Sequence, residues 1–250
     1  MSIERYYNNK ITPWTGEHLH RYTEAKKFVK PGDCVLDIAC GSGYGANILS
    51  EVPKAAIYAG DIDCNSIANC KVEWQGNKSV QFEVMDATSL RFDDGFFDAI
   101  ISLETIEHLT GYKKMVAEFA RVAKQDGVVV ISTPNIKVSS PDGKVMNPYH
   151  TQEFTYDELK DILKAEFSEV TISGQKYTRY ENKGGSSFKQ FIEKLLLTRG
   201  IRKLPYSLRN GIFKLLFKTP LYPEIREYQL FENKDFIEKN CHVLFAVCKK

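Results

Sequence analysis

The stretch Val35–Gly45 reads VLDIACGSGYG, an apolar run that passes directly into a loop of glycines. The run has the length and composition of a buried strand, and glycines let backbone N–H groups approach a ligand closely. A glycine loop after the first strand is typical of open parallel sheets, which bind ligands at the edge where their strands end. Taken alone, the loop also fits the dinucleotide pattern G-x-G-x-x-G/A through Gly41, Gly43 and Ala46.

Strand-length apolar runs alternate with helical patterns along the rest of the chain. The predicted strands are Cys34–Cys40, Ala56–Ile62, Val80–Met85, Phe97–Leu103, Gly127–Pro134, Glu169–Ser173 and Val243–Cys248. The predicted helices between them are Gly45–Glu51, Asn65–Trp74, Tyr112–Lys124 and Tyr156–Phe167. This alternation predicts βαβ units and an α/β fold in which helices cover both faces of an open sheet. Residues 1–30 precede the first strand and are predicted to be helical from about Gly16.

Three aspartates accompany three successive predicted strands. Asp37 lies within the first strand, where a carboxylate can face the ammonium group of a ligand, and Asp61 ends the second, where it could accept both hydroxyls of a ribose. Asp86 follows the third strand, where a carboxylate beside a backbone N–H can read the edge of an adenine. Together they suit a ligand with an amine, a ribose and an adenine. Singly, each could be a turn or capping residue, and an NAD oxidoreductase remains the competing interpretation.

Six motifs at matching spacing resemble the class I S-adenosylmethionine (SAM)-dependent methyltransferases. They are Val35–Gly45, Gly60–Asp63 (GDID), Val84–Phe92 (VMDATSLRF), Phe97–Leu109 (FDAIISLETIEHL), Arg121–Gly127 (RVAKQDG) and Ile131–Asn135 (ISTPN). The resemblance covers roughly residues 15–170 and the last strand. It implies a single domain over residues 1–250, built on a Rossmann-like sheet of seven strands, one of them antiparallel. An N-terminal helical lid at residues 1–30 and a basic helical insertion at residues 176–235 complete the predicted organisation.

The resemblance also implies how SAM is held. Asp61 would bind the ribose, Asp86 and Ala87 the adenine, and Asp37 with the loop from Gly41 to Gly43 the methionine part. Arg21 would pair with the SAM carboxylate, unless it lies on a solvated helix face. The full set of predicted cofactor residues is Arg21, Asp37, Ala39, Gly41, Gly43, Tyr44, Asp61, Ile62, Asp86, Ala87 and Leu103.

Two histidines follow predicted strands on the ligand side of the sheet. Methyl transfer from a sulfonium needs chiefly positioning, whereas a hydroxyl acceptor also gains from a general base. His108 follows the fourth strand and His150 the fifth, and both are predicted to be catalytic. His108 could instead cap the helix after it, and His150 could be structural. Glu104 and Glu107 could orient either histidine or bind substrate.

The acceptor is predicted from resemblance alone. Arg21-Tyr22 with the motifs ETIEHL, STPN and NPYHTQEFT is similar to methyltransferases found with bacterial surface-polysaccharide and glycolipid enzymes. This similarity implies O-methylation of a sugar hydroxyl in a glycan or glycolipid. The alternatives are methylation of a quinone, another aromatic or a nucleotide-linked amino sugar, and a SAM-binding protein without catalysis. Nucleic acid is a disfavoured partner, because we find no Asn-Pro-Pro-Tyr-type motif and no RNA-binding module.

Length, charge and cysteine spacing limit the classes of protein to which the chain could belong. The chain has 250 residues and a net charge of +2, and no stretch is long and apolar enough to predict a spanning helix. The N-terminus has no apolar signal-peptide region, and the six cysteines show no metal spacing, so we expect a cytoplasmic protein with reduced thiols and no metal. Nothing in the sequence fixes an oligomeric state.

One segment carries most of the positive charge. Between Lys183 and Lys218 there are nine basic residues and one acid, Glu193, giving +8 and leaving −6 for the rest of the chain. The segment contains two short apolar helical patterns with basic flanks, which predict a peripheral contact with the inner face of a membrane. The same apolar positions could instead pack as a substrate lid or form a dimer contact.

Overall fold

The computed structural model describes residues 12–145, 147–180, 187–197 and 201–250. Its strands are β1 (Cys34–Ile38), β2 (Ala56–Asp61), β3 (Val80–Val84), β4 (Phe97–Leu103), β5 (Ala123–Pro134), β6 (Glu169–Tyr177), β7 (Tyr228–Phe231) and β8 (Val243–Lys249). Its α-helices are α1 (Thr15–Lys26), α2 (Tyr44–Leu49), α3 (Cys64–Glu73), α4 (Tyr112–Val122), α5 (Ile136–Ser139), α6 (Tyr156–Lys164), α7 (Ser187–Leu197), α8 (Tyr206–Phe217) and α9 (Lys234–Asn240).

The strands form one mixed sheet in the order β3-β2-β1-β4-β5-β8-β6-β7. β1 to β5 pair in parallel, and β8 runs antiparallel to both β5 and β6. The mixed α/β, Rossmann-like arrangement is therefore confirmed. The strand count differs from the prediction of seven, because β7 is an eighth strand at the sheet edge. β7 has four residues within the segment predicted as a helical insertion, too few for a period-two pattern to stand out.

The centre of the sheet is apolar on both faces. β1 and β4 are buried along nearly their whole length, as continuous apolar runs in a parallel sheet should be. α4 contributes an apolar stripe at helical spacing, with Met115, Val116 and Phe119 all buried. All six cysteines are free, and four of them are buried, as expected for small apolar core side chains.

The chain forms two compact units. The first contains Arg21–Lys176 and Leu230–Lys250, and the second contains Tyr177–Gln229 with residues 12–20. The segment predicted as an insertion thus supplies most of the second unit. The predicted lid at residues 1–30 is shared between the two units, and residues 1–11 of it lie outside the described ranges.

The second unit has a small core of its own. Leu196 from α7 and Phe213 from α8 pack with Leu221 and Tyr222. Arg209 is buried beside this core, where its guanidinium donates to the carbonyls of Leu196 and Leu204 and to the Tyr222 hydroxyl. Buried arginine is stable only when its donors are matched in this way. The two predicted basic helices are therefore parts of a folded unit.

Candidate active site

The loop after β1 is shaped by backbone conformations that favour glycine. Gly41 and Gly43 have positive φ values of 56° and 76°, and Ala39 adopts φ 62° just before them. A side chain at Gly43 would place its first carbon 2.7 Å from the ring of Phe82. The sequence thus folds here into a turn that leaves backbone close to the end of β1 and admits no bulk at Gly43.

Asp37 is buried in β1 below this loop. Its Oδ1 accepts a hydrogen bond of 3.0 Å from the Tyr22 hydroxyl, and Oδ2 has no hydrogen-bond partner among the described residues. Burial raises the pKa of Asp37 to about 7; the negative charge of Asp61 adds to the rise, and the Tyr22 bond opposes it. A buried carboxylate with an unmatched oxygen fits the ammonium of SAM, which would supply both a donor and a positive charge.

Asp61 lies at the end of β2 and joins the two neighbouring loops. Its Oδ2 accepts from the backbone N–H of Gly41 at 3.0 Å, and its Oδ1 accepts from Asp63 at 2.9 Å. The next residue, Ile62, is 69% exposed although it is a large apolar side chain. A carboxylate at a strand end beside an exposed apolar side chain fits a ribose followed by a flat base.

Asp86 is an exposed residue whose carboxylate closes its own turn. Its Oδ1 accepts from the backbone N–H and the hydroxyl of Thr88, both at 2.8 Å. This is the turn role that the sequence left open, and adenine recognition by Asp86 and Ala87 stays a prediction. Tyr44 and Leu103 are both buried, Tyr44 with its ring edge-on to Tyr22 at 5.2 Å.

Arg21 is buried, so a solvated helix face is excluded. Its guanidinium donates to Gln175 Oε1 at 2.7 Å and lies 3.8 Å from the carboxylate of Glu104. Glu104 itself has φ 54°, an uncommon conformation for a residue with a side chain. Strained backbone of this kind concentrates at functional sites. The buried Arg21 and the half-buried Glu104 thus form a pair of opposite charge at the end of β4.

His108 and His150 are far apart in the sequence but lie in contact in the fold. Their rings are 4.9 Å apart and nearly perpendicular. His108 Nδ1 lies 2.9 Å from the Tyr149 carbonyl, and the N-terminus of α4 begins at Gly111 without a side-chain cap. The interpretation of His108 as a cap of the following helix is therefore wrong.

Two carboxylates support the histidines. His150 Nδ1 lies 2.9 Å from Glu153 Oε1, and Ser139 and Ser140 donate to the other oxygen of Glu153. Burial acts to raise the pKa of Glu153, but the hydrogen bonds from Ser139, His150 and Ser140 outweigh it and hold this pKa below its usual value. Glu153 was not singled out in the sequence, although its place three residues after His150 is a signal that could have revealed it.

Glu107 is fully buried at the floor of the same cluster. Its Oε2 accepts from the Thr133 hydroxyl at 2.9 Å, whereas Oε1 has no hydrogen-bond partner within the described ranges. Burial raises the pKa of Glu107 well above its usual value, and the charge of Glu104 adds to that rise. The end of β4 and the loop after β5 therefore bring two histidines and two buried carboxylates to one place.

Comparison with known proteins agrees with this geometry. Residues 36–131 match the methyltransferase domain family. The chain is 35% identical over 144 residues to a protein of Mycobacterium tuberculosis named as a probable S-adenosylmethionine-dependent methyltransferase; the match covers 56% of this chain and 50% of that one. Phosphoethanolamine N-methyltransferase 3 of Arabidopsis thaliana is 34% identical over 117 residues, or 46% of this chain and 24% of that protein. The chain spans about half the length of the mycobacterial relatives it matches.

Solved structures share the fold. A phosphoethanolamine N-methyltransferase 2 of Haemonchus contortus in complex with SAM superposes with a TM-score of 0.60 at 18% identity, covering 97% of this chain and 54% of that one. The [4+2]-cyclase SpnF superposes with a TM-score of 0.61 at 16% identity, covering 98% and 86%. Because SpnF is named for a different reaction, the fold by itself does not identify the chemistry.

The glycine loop and the aspartates of β1 and β2 form the arrangement that the sequence predicts for a nucleoside-binding α/β domain. The family match then identifies the class of this region: residues 36–131 match a methyltransferase domain. The predictions of this family and of SAM as its cofactor are confirmed.

Proposed function

We propose that the whole chain is an enzyme that methylates a hydroxyl group of a sugar in a glycan or glycolipid. The observation that carries the proposal is the contact of 2.9 Å between His150 Nδ1 and Glu153. A carboxylate on Nδ1 favours the tautomer in which Nε2 carries no proton, and Nε2 can then accept a proton from an acceptor that takes the place of the Asn147 amide, 2.9 Å away. A hydroxyl needs such a base, because its own pKa lies far above neutral.

The residues around the cofactor site have separate tasks in this reaction. Bound SAM supplies an electrophilic methyl group on a sulfonium. Asp37 would hold its ammonium, and Asp61 its ribose. Positioning by these two groups places the methyl in line with the acceptor, while the histidines prepare the acceptor oxygen.

The second candidate function is methylation of an amine, which the names of the phosphoethanolamine N-methyltransferase relatives give for those proteins. It is supported by 34% identity over 133 residues, but these relatives match this chain over only about half its length. An amine carries its own lone pair once deprotonated and depends less on a paired histidine and carboxylate. The histidine–carboxylate pair therefore favours the hydroxyl.

Measuring the S-adenosylhomocysteine formed with a sugar acceptor and with phosphoethanolamine separates the two candidate functions. We expect turnover with sugar hydroxyl acceptors and none with phosphoethanolamine. His150→Ala should lower kcat roughly 10²–10⁴-fold while SAM binding is retained. Glycans and lipids of a deletion strain, measured by mass spectrometry, should lack the mass of one methyl group. Turnover with phosphoethanolamine that is unaffected by His150→Ala would instead support the amine.

We also propose that residues 183–218 contact an anionic membrane surface, as suits a lipid-linked acceptor. Residues 183–186 and 198–200 lie outside the described ranges. On α7, Phe188, Phe191 and Leu195 are exposed at helical spacing, whereas Ile192 packs against the core of the second unit. No helix in the described parts of the chain is long and apolar enough to span a membrane.

The described charges favour that surface. Lys194, Lys203, Lys214 and Lys218 are exposed, whereas the acid Glu193 is buried. Glu193 is paired with Arg179 and accepts a hydrogen bond from the Tyr180 hydroxyl, so its negative charge lies inside the second unit and not on the surface. Exposed lysines beside exposed apolar side chains are typical of interfacial helices. Each lysine near an anionic leaflet contributes on the order of 1 kcal/mol.

A further inference from the structure

The side chains of Glu107, His108 and His150 converge in the first unit. Each offers one ligand atom, and these three atoms lie within 4.8 Å of one another. Glu107 Oε1 and His108 Nε2 are 4.0 Å apart. Two ligand atoms at about 2.1 Å from one cation in tetrahedral geometry lie about 3.4 Å apart, so the three side chains must move together by about 1 Å to close around a cation.

The carboxylate of Glu107 independently points to a ligand. It is fully buried, one oxygen accepts from Thr133, and the other faces His108 with no hydrogen-bond partner among the described residues. A buried carboxylate oxygen without a partner is costly unless a donor or cation is bound there.

Both histidines have the support that metal-binding imidazoles require. His108 Nδ1 faces the Tyr149 carbonyl at 2.9 Å, and His150 Nδ1 faces Glu153 at 2.9 Å. When one ring nitrogen donates to a carbonyl or carboxylate, the other presents its lone pair to the metal. The Nε2 atom of His150 lies 2.9 Å from the side-chain nitrogen of the half-buried Asn147, so a cation would have to displace this amide.

We propose that Glu107, His108 and His150 bind one divalent first-row transition cation, of the class of Zn²⁺ and Co²⁺. Two imidazoles and one carboxylate are suited to these ions and leave further coordination positions open. The sequence predicts no metal, because its cysteines show no metal spacing and positions 108 and 150 come together only in the fold.

The role of the cation rests on the proposed function. An acceptor hydroxyl oxygen binds at an open position, which lowers its pKa, and its proton leaves to water. The oxygen then forms a bond to the methyl carbon as the carbon–sulfur bond of SAM breaks. The products are a methyl ether, S-adenosylhomocysteine and the released proton. In the cation-loaded enzyme the metal, and not free His150, prepares the hydroxyl.

Cobalt binding tests the site without any need for an acceptor. The full chain is treated with a chelator, exchanged into buffer and titrated with Co²⁺ while the visible absorption of the bound ion is followed. We expect saturation at one equivalent. His108→Ala and Glu107→Gln should weaken binding by more than roughly 100-fold, and Glu153→Gln, one shell further out, by roughly 10- to 100-fold. His242→Ala, an exposed histidine outside the cluster, is the matched control.

The possible results separate the two proposals. Absence of saturable Co²⁺ absorption, or binding that His108→Ala leaves unchanged, would overturn the metal site. His108 is partly exposed, so this variant should fold even if Glu107→Gln does not. Cobalt binding with no methylation of any hydroxyl would keep the site and remove the function. Hydroxyl methylation that survives chelation, without Co²⁺ binding, would keep the function and remove the site.

Discussion

Among single residues, Asp37 is the one whose pKa should most affect the proposed binding of SAM. Burial raises its pKa to about 7, so near neutral pH the carboxyl is partly protonated in the free protein. The ammonium of SAM would favour the charged form of the carboxylate, and binding would then release a proton. The same burial lowers the stability of the free protein as pH rises from about 3.8, the usual pKa of an aspartate, to about 7; above that the loss is complete, because the folded state then contains an unmatched buried charge.

We therefore expect SAM affinity to depend on pH. It should rise from about pH 5.5 to about pH 7, where Asp37 loses its proton, and level off above. Asp37→Asn should bind SAM weakly and without this dependence. Calorimetric titrations in two buffers of different ionisation enthalpy report the released proton directly. An equal affinity across the range, with no proton released, would show that Asp37 does not pair with the ammonium.

Among the elements, the loop between β1 and α2 is constrained by the conformation and surroundings of its glycines. Gly43 combines φ 76° with a close approach of the Phe82 ring. We expect Gly43→Ala to lower the free energy of unfolding by about 1–3 kcal/mol and to weaken SAM binding, because backbone strain adds to the steric conflict. Gly76→Ala is the control, since an added side chain there has open space. Equal denaturant midpoints for the two variants would contradict this view of the loop.

The elements also show what the sequence could predict. The glycine turn and the strands that carry Asp37 and Asp61 could be predicted because strands and glycine turns are local signals, whereas the cofactor roles of the two aspartates stay predictions. The seven main strands were found for the same reason, since long apolar runs need no tertiary information. β7 and Glu153 were not predicted. A four-residue edge strand is too short to show a clear pattern, and the contact between Glu153 and His150 forms only in the folded protein. The joining of His108 and His150 likewise depends on two loops that the sheet brings together.

At the scale of the whole molecule, the second unit presents apolar surface that its small core does not use. Leu208, Ile212 and Leu215 are exposed along α8, as Phe188 and Phe191 are on α7. Exposed apolar side chains in such number usually mark an interaction surface. Because the same segment also exposes lysines, we propose that this surface contacts an anionic bilayer.

Vesicle flotation tests the membrane contact. We expect the chain to float with anionic vesicles at low salt, to stay behind with neutral ones, and to be released at high salt, because screening weakens the lysine attraction. Phe191→Ser with Leu215→Ser should reduce flotation. Val72→Ser changes an apolar side chain that is 71% exposed on α3 and should not. No flotation at low salt would reject the membrane and favour a lid or a dimer contact.

The central claim is that the carboxyl ends of β1 and β2 hold SAM. Parallel calorimetric titrations of the full chain with SAM and with NAD test it most directly. We expect saturable binding of SAM and none of NAD. Asp61→Ala should weaken SAM binding by about 1.5–3 kcal/mol, the range for hydrogen bonds to a charged group. Asp93→Ala, at an exposed acid, should leave it unchanged. Saturable binding of NAD without binding of SAM, or full SAM affinity in Asp61→Ala, would contradict the claim.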